Sequence, residues 1–244
     1  MKQTILTIES NSPLTSAVYR LDLRGAEEMQ RPGQFINIRL AGHFLRRPIS
    51  VYDQDGDHLT VLYKTVGAGT EQLSRMQRGE TLDVLTGLGN GYDLGKAGTC
   101  PLLLGGGVGV PPLYLLAKEL RAKALPVTAV LGFNTREEVF GEAEFRELGC
   151  EVTVTTADGT YGTRGFVTDA LPLNYSYFYT CGPEPMLRAV YRATNTSSGQ
   201  FSFEERMGCG FGACMGCSCK TIIGQKRICR EGPVLEKEEI LWAD

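Results

Sequence analysis

The chain has 244 residues, enough for one large domain or two ordinary ones with a real core. Lys plus Arg number 25 and Asp plus Glu 28, so a net charge of −3 gives no electrostatic ground for nucleic acid or an anionic membrane as the main partner. Hydrophobic residues at 42% and charged ones at 22% exclude a disordered chain and fit a globular one.

The first ten residues, MKQTILTIES, lack the apolar stretch of a signal peptide, and the expected localisation is cytoplasmic. Up to about residue 97, short strands alternate with turn signals. Gln34–Leu40, Pro48–Tyr52, Leu59–Lys64 and Thr81–Thr86 read as strands, with Pro32-Gly33, Asp55-Gly56 and the Gly87–Gly91 stretch between them. A small antiparallel barrel closes such strands without leaving edges.

Residues 97–117 carry no charge over 21 positions, long enough to span a bilayer. Eight of those positions are Gly or Pro, five of them within 105–111, which would break a lipid-facing helix. A buried strand, a tight turn and a helix are predicted instead, with no membrane span. From about 98 the pattern alternates. Strands are predicted at Leu102–Gly105, Pro126–Gly132, Cys150–Thr155 and Tyr177–Cys181. Helices are predicted at Pro111–Ala122, Gly141–Leu148 and Pro183–Ala193. This order predicts a parallel sheet with helices on both faces. After about 200 the chain turns Gly- and Cys-rich, then ends on a predicted charged helix, Leu235–Trp242. The fold class is therefore β plus α/β in three units: a barrel over 1–97, a nucleotide-type α/β domain over 98–200 and a small cysteine module over 201–244.

Four of the eight cysteines fall between Cys209 and Cys219. The spacing Cys209-x4-Cys214-x2-Cys217-x11-Cys229 is that of a plant-type [2Fe–2S] site, where four thiolates converge on one small inorganic core. Gly208, Gly210, Gly212 and Gly216 let the loop curl and aim N–H groups at sulfur. Cys219, two residues past Cys217, is left out of the ligand set. Zinc sites more often show paired C-x2-C units, and disulfides suit a secreted chain. The only histidines, His43 and His58, lie far from the cysteines, which argues against a mixed Cys/His zinc site or a His-based triad.

Gly105, Gly106, Gly107 and Gly109 form a turn between a strand and the Pro111-led helix, where a backbone can approach a pyrophosphate at a helix N-terminus. Cys181, Gly182 and Pro183 form a second such turn on the same carboxyl edge of the sheet. Cys181, with no histidine nearby in sequence, is read as a packing and gating residue. In the barrel, Arg47, Pro48, Ile49 and Ser50 place an arginine and a hydroxyl within reach of one phosphate. Leu62, Tyr63 and Lys64 precede Gly69 and Thr70; Tyr63 would lie against a flat ring, and the helix start would offer N–H donors to a second phosphate oxygen.

With these motifs in view, and with Asp158-Gly159-Thr160-Tyr161-Gly162 beside them, the chain resembles the ferredoxin–NADP reductase superfamily. Within it, the order barrel, nucleotide domain and C-terminal cluster resembles the electron-transfer subunits of bacterial type 1B dihydroorotate dehydrogenase. The resemblance covers nearly the whole chain. It implies FAD held by Arg47 to Ser50, Leu62 to Lys64, Gly69 and Thr70, a [2Fe–2S] cluster on Cys209, Cys214, Cys217 and Cys229, and NAD as substrate at the two glycine turns. It implies an FMN-containing catalytic partner in a heterotetramer of two of each, on which dihydroorotate is oxidised while NAD is reduced here. No residue of this chain is then needed as acid or base. Arg136, after the Pro126–Gly132 strand, could meet the 2′-phosphate of NADP while Glu137 and Glu138 beside it oppose one, and it is the resemblance that implies NAD. Two other functions fit the same motifs: a reductase subunit serving a glutamate-synthase-like, sulfide or hydrogen enzyme, and a zinc-stabilised binding module.

Overall fold

In the first third of the chain, six strands close on themselves. The computed structural model describes residues 1–28 and 30–242; the last two positions of the expected cysteine module, 243 and 244, lie outside the described residues. Strands β1 (Lys2–Pro13), β2 (Val18–Arg24), β3 (Phe35–Arg39), β4 (Arg47–Asp55), β5 (His58–Lys64) and β6 (Thr81–Leu88) form a closed antiparallel barrel in the order β1-β2-β5-β4-β3-β6. Leu6, Leu21, Ile36, Ile38, Val51, Leu59, Val61 and Val84 fill it. One helix, α1 (Ala68–Arg75), lies between β5 and β6. Asn11 from β1 caps its far end, donating to the Leu73 and Met76 carbonyls at 2.7 and 3.1 Å.

The second unit alternates strand and helix: β7 (Pro101–Gly106), α2 (Pro111–Ala122), β8 (Thr128–Phe133), α3 (Glu142–Glu147), β9 (Glu151–Thr156), β10 (Thr163–Arg164), β11 (Tyr177–Cys181), α4 (Glu184–Ala193) and β12 (Gly199–Ser202). The adjacent central strands β7 and β11 are buried along their whole length, as the middle of a sheet covered on both faces requires. Two apolar cores lie against it: one holds Leu103, Leu113, Leu116, Leu131 and Phe145, the other Leu102, Leu104, Val130, Phe178 and Phe201. The barrel joins this unit through α2, where Tyr52 stacks on Tyr114 at 4.3 Å and Lys118 pairs with Asp53 at 2.7 Å.

The last segment adds a hairpin, β13 (Ser218–Thr221) and β14 (Gly224–Arg227), and a strand, β15 (Val234–Glu236). The seven-stranded sheet runs β10-β9-β8-β7-β11-β12-β15, parallel except for the antiparallel pair β12–β15. The helix expected over Leu235–Trp242 is absent. Val234–Glu236 is a strand, followed by a single 3-10 turn at Lys237–Glu239. The open edge of β12 explains the difference, because its unpaired backbone groups outweigh the helical preference of the charged run. Glu236 then bonds Tyr177, Gln200 and Lys96, each within 2.8 Å. Among the described residues no helix is long and apolar enough to cross a membrane.

Candidate functional site

The sites lie where the three units meet. On β4, the two neighbouring arginines part company. Arg46 is spent on the barrel seam, donating to the Asn37 and Asp83 carbonyls and pairing with the Asp83 carboxylate at 3.0 Å. Arg47 turns towards the start of α1. Its guanidinium contacts Leu45 O and His43 Nδ1, and it lies so close to Gly69 that a Cβ there would sit 2.3 Å from Nε. Pro48 and Ser50 face outwards on β4, opposite Asn37 and Phe35 of β3, while Ile49 turns into the barrel core. Thr70 uses its hydroxyl on its own turn, accepting from the N–H groups of Val66 and Gly67 and donating to Gly67 O. Leu62 is buried towards the α/β unit and Lys64 is exposed.

Tyr63 corrects the expectation of a ring platform. Its ring lies in the barrel core, only 3% exposed, stacked on Tyr19 at 5.7 Å, with its hydroxyl donating to Asn11 Oδ1 at 2.9 Å. The strand alternation puts Leu62 and Tyr63 on opposite faces, so Tyr63 has no open side for a flavin.

The two glycine turns are brought together as expected. β7 and β11 are adjacent and parallel, and Cys181 pairs directly with Gly105. The glycines divide by role. A Cβ on Gly105 would meet Val110 at 2.9 Å, one on Gly106 would meet Met186 at 2.4 Å, and one on Gly109 would meet the Cys181 carbonyl oxygen at 2.3 Å. Those three serve close packing of the chain on itself. Only Gly107 faces open space, at φ +51°, so it is the one with room for a ligand. Cys181 is 2% exposed and its thiol is pushed up by burial, which keeps it protonated and matches packing rather than attack. Gly182 and Pro183 lead into α4. At the far end, Arg136 stacks over Tyr161 at 5.5 Å while Glu137 and Glu138 bond Thr135 and Asn134.

In the cysteine module the sulfurs come in pairs. Cys209 N–H donates to Cys214 Sγ at 3.4 Å, and the N–H groups of Ala213 and Cys214 donate to Cys209 Sγ at 3.2 and 3.4 Å. Cys229 N–H donates to Cys217 Sγ at 3.4 Å. Among the described residues no three His, Cys, Asp or Glu side chains gather closely enough to hold a metal ion. Burial raises the Cys209 thiol, but the N–H groups of Phe211, Cys214 and Ala213 outweigh it and bring it to about 6. Burial, with Cys217 alongside, pushes Cys229 up to about 12. The first pair is open to solvent at Cys214, whereas Cys217 and Cys229 are packed with Phe35, Leu85, Leu88, Ile228 and Leu235 against the barrel. Cys219, on β13, is half-buried against the same apolar cluster that holds Cys217 and Cys229.

What seats the module was not evident from the residue pattern. The Gly87–Gly91 stretch, expected only as a turn, is its socket. A Cβ on Gly89 would meet Pro233 at 2.5 Å, and Asn90 bonds Glu231 O, Val234 O and the Val234 N–H. Asn37 is the other missed residue: its amide donates to Cys209 O at 3.3 Å, and only a glycine at 210 leaves it room. A single asparagine inside a strand gives no such signal in sequence.

Comparison with known proteins agrees with this architecture. Residues 204–241 match the iron-sulfur cluster binding domain of dihydroorotate dehydrogenase B. The "Dihydroorotate dehydrogenase B (NAD(+)), electron transfer subunit" of Geobacillus sp. (strain WCH70) is 44% identical, over 99% of each chain. That of Fusobacterium nucleatum is 42% identical over 96% of each. Among solved structures, a chain of an NADH-dependent reduced ferredoxin-NADP oxidoreductase superposes with a TM-score of 0.89 at 29% identity, covering 98% of this chain and 90% of that one. The ferredoxin reductase of carbazole 1,9a-dioxygenase shares the fold at a TM-score of 0.68 and 22% identity, over 78% of this chain and 64% of its own.

Proposed function

The chain belongs to the family of dihydroorotate dehydrogenase B electron transfer subunits, and on that premise we propose that it carries FAD on the barrel and a [2Fe–2S] cluster on Cys209, Cys214, Cys217 and Cys229. It exchanges electrons between NAD and an FMN-bearing catalytic subunit, in a cytoplasmic heterotetramer of two of each. When bound, a flavin supplies the conversion between the electron pair that a nicotinamide moves as hydride and the single electrons that an iron–sulfur cluster carries.

This chain's residues hold and orient. Arg47 offers its fork to the FAD diphosphate beside the backbone N–H groups of Gly69 and Thr70. Pro48 and Ser50 line the outer face of β4 next to the cysteine module. Leu62 and Lys64 contribute backbone and edge on β5. Gly107, with the turn at Cys181, Gly182 and Pro183, receives the NAD diphosphate on the carboxyl edge of the sheet. The buried Cys181 holds its turn and keeps its proton.

The pairing of sulfurs carries the cluster assignment. A [2Fe–2S] core takes two thiolates on each iron. Cys209 with Cys214 and Cys217 with Cys229 meet that demand, each pair receiving backbone N–H donors. The buried pair borders the barrel and the other pair is open to a partner, flanked by Phe211 and Met215, 42% and 52% exposed. Anaerobic purification tests the proposal, with assay of iron, sulfide and flavin and co-purification with an FMN-containing, dihydroorotate-oxidising protein. A chain without iron or FAD refutes it.

A further inference from the structure

Asn37 is 1% exposed, yet its Oδ1 has no hydrogen-bond partner among the described residues. A buried amide oxygen left unpaired has lost its water without gaining a hydrogen bond, so such an atom calls for a donor outside the chain. Its other end is committed. Nδ2 donates to Cys209 O at 3.3 Å, and the opposite amide orientation would set two oxygens against each other. A Cβ on Gly210 would lie 2.2 Å from Nδ2, so loop and amide are in direct contact. Across the ladder, Asn37 pairs with Pro48, and Phe35 pairs with Ser50. Directly opposed residues share a face of the sheet, so Asn37 stands on the outer face with Pro48 and Ser50.

We propose that Asn37 is a positioning residue that bridges the two redox groups of this chain: Nδ2 holds the Cys209 loop, and Oδ1 accepts a hydrogen bond from an N–H or O–H of the flavin. The bridge rests on the cofactor assignment above. It fixes the cluster loop to the strand that carries the flavin, so that the gap between the two groups is set by one side chain.

The test uses the full chain, purified anaerobically, with two near-isosteric variants, Asn37→Leu and Asn37→Asp. Asn37→Leu removes donor and acceptor; Asn37→Asp keeps the acceptor and removes the donor. The readouts are fluorescence titration of FAD into the deflavinated, cluster-loaded protein and the electron paramagnetic resonance spectrum of the reduced cluster. Asn37→Leu is expected to weaken FAD about fivefold, the value of one net hydrogen bond. Asn37→Asp is expected to hold FAD within about twofold. Both are expected to alter the cluster spectrum, since both release Cys209 O. Wild-type FAD affinity in Asn37→Leu, equal weakening in both variants, or an unchanged cluster spectrum in both overturns the bridge. If Asn37→Leu does not fold, Asn37→Asp decides: its spectrum must change while its FAD affinity stays. A wild-type protein lacking FAD or iron refutes the cofactor assignment itself, a separate result.

Discussion

Gly109 lies against Cys181 so closely that a Cβ at 109 would sit 2.3 Å from the Cys181 carbonyl oxygen and 2.5 Å from the Gly182 Cα. Both obstacles are backbone, so neither can swing aside. Gly109→Ala is therefore expected to force the two turns apart and to cost about 2 kcal/mol of stability, as overpacking does. The open Gly107 offers the contrast: nothing lies within 4 Å of its Cβ position, and only its φ of +51° resists a side chain. Gly107→Ala is expected to cost about 1 kcal/mol in stability and to raise the KM for NAD about tenfold by intruding on the ligand side. Urea unfolding and steady-state kinetics of the two variants separate the effects; a larger stability loss in Gly107→Ala contradicts this division.

Gly69 differs again, because its obstacle is the flexible end of Arg47. A methyl group there displaces the guanidinium from its contacts with Leu45 O and His43 without touching the barrel core. Gly69→Ala is expected to keep the melting temperature and weaken FAD about tenfold, the loss of one charge-assisted contact. Arg47→Lys, which replaces a planar fork by a point charge, is expected to lose a similar amount. Fluorescence titration measures both, and unchanged affinity in both variants removes Arg47 from the flavin site.

The residue pattern shows most of this fold for definite physical reasons. The short runs at Leu102–Leu104 and Tyr177–Cys181, bounded by Gly and Pro, fit strands covered on both faces, and the structure pairs them in register. The cysteine spacing fixes which sulfurs can meet, since three lie in one loop. What escaped depends on contacts between distant segments. Whether Tyr63 faces the barrel core or the outer cleft is a matter of strand phase against the turn that precedes it. Leu235–Trp242 has helical residue types but meets the free edge of β12, and only the folded sheet supplies that edge. Gly105, Gly106 and Gly109 look like a phosphate loop by composition, yet their neighbours are Val110, Met186 and Cys181. Glycine records that something comes close; it does not record what.

Glu236 fastens the C-terminal strand to the α/β sheet. Burial alone would raise its carboxyl, but the hydrogen bonds from Lys96, Gln200 and Tyr177 outweigh burial and hold it below its ordinary 4.5. A carboxylate lowered by folding contributes stability that is complete above 4.5 and is lost as pH falls through the lower, folded value. Glu236→Gln is expected to destabilise the protein by about 1 kcal/mol near pH 7, with the difference from wild type closing as pH falls below the ordinary carboxyl value and through the lower, folded one. Comparing the two proteins at each pH cancels acid loss of metal common to both. A gap that persists at low pH assigns the effect to shape rather than charge.

Cys214 and Cys219 make the sharpest pair of substitutions in the module. Cys214 Sγ accepts from the N–H groups of Cys209 and Gly216, and it is the exposed member of its sulfur pair. Cys219 lies on β13, and burial raises its thiol. Serine offers an alcohol oxygen where iron prefers thiolate. Cys214→Ser is thus expected to cut dihydroorotate-dependent NAD reduction with the catalytic partner by more than about 100-fold. Reduction of a small dye by NADH through the flavin is expected to stay within about twofold, because that route bypasses the cysteine loop. Cys219→Ser is expected to leave both rates and the iron content near wild type. Stopped-flow kinetics and iron assay of the two variants provide the check. Equal loss of partner and dye activity in Cys214→Ser would mean that the cluster supports the fold of the module rather than the passage of electrons, since Cys217 and Cys229 pack beside Phe35 and Leu88 of the barrel.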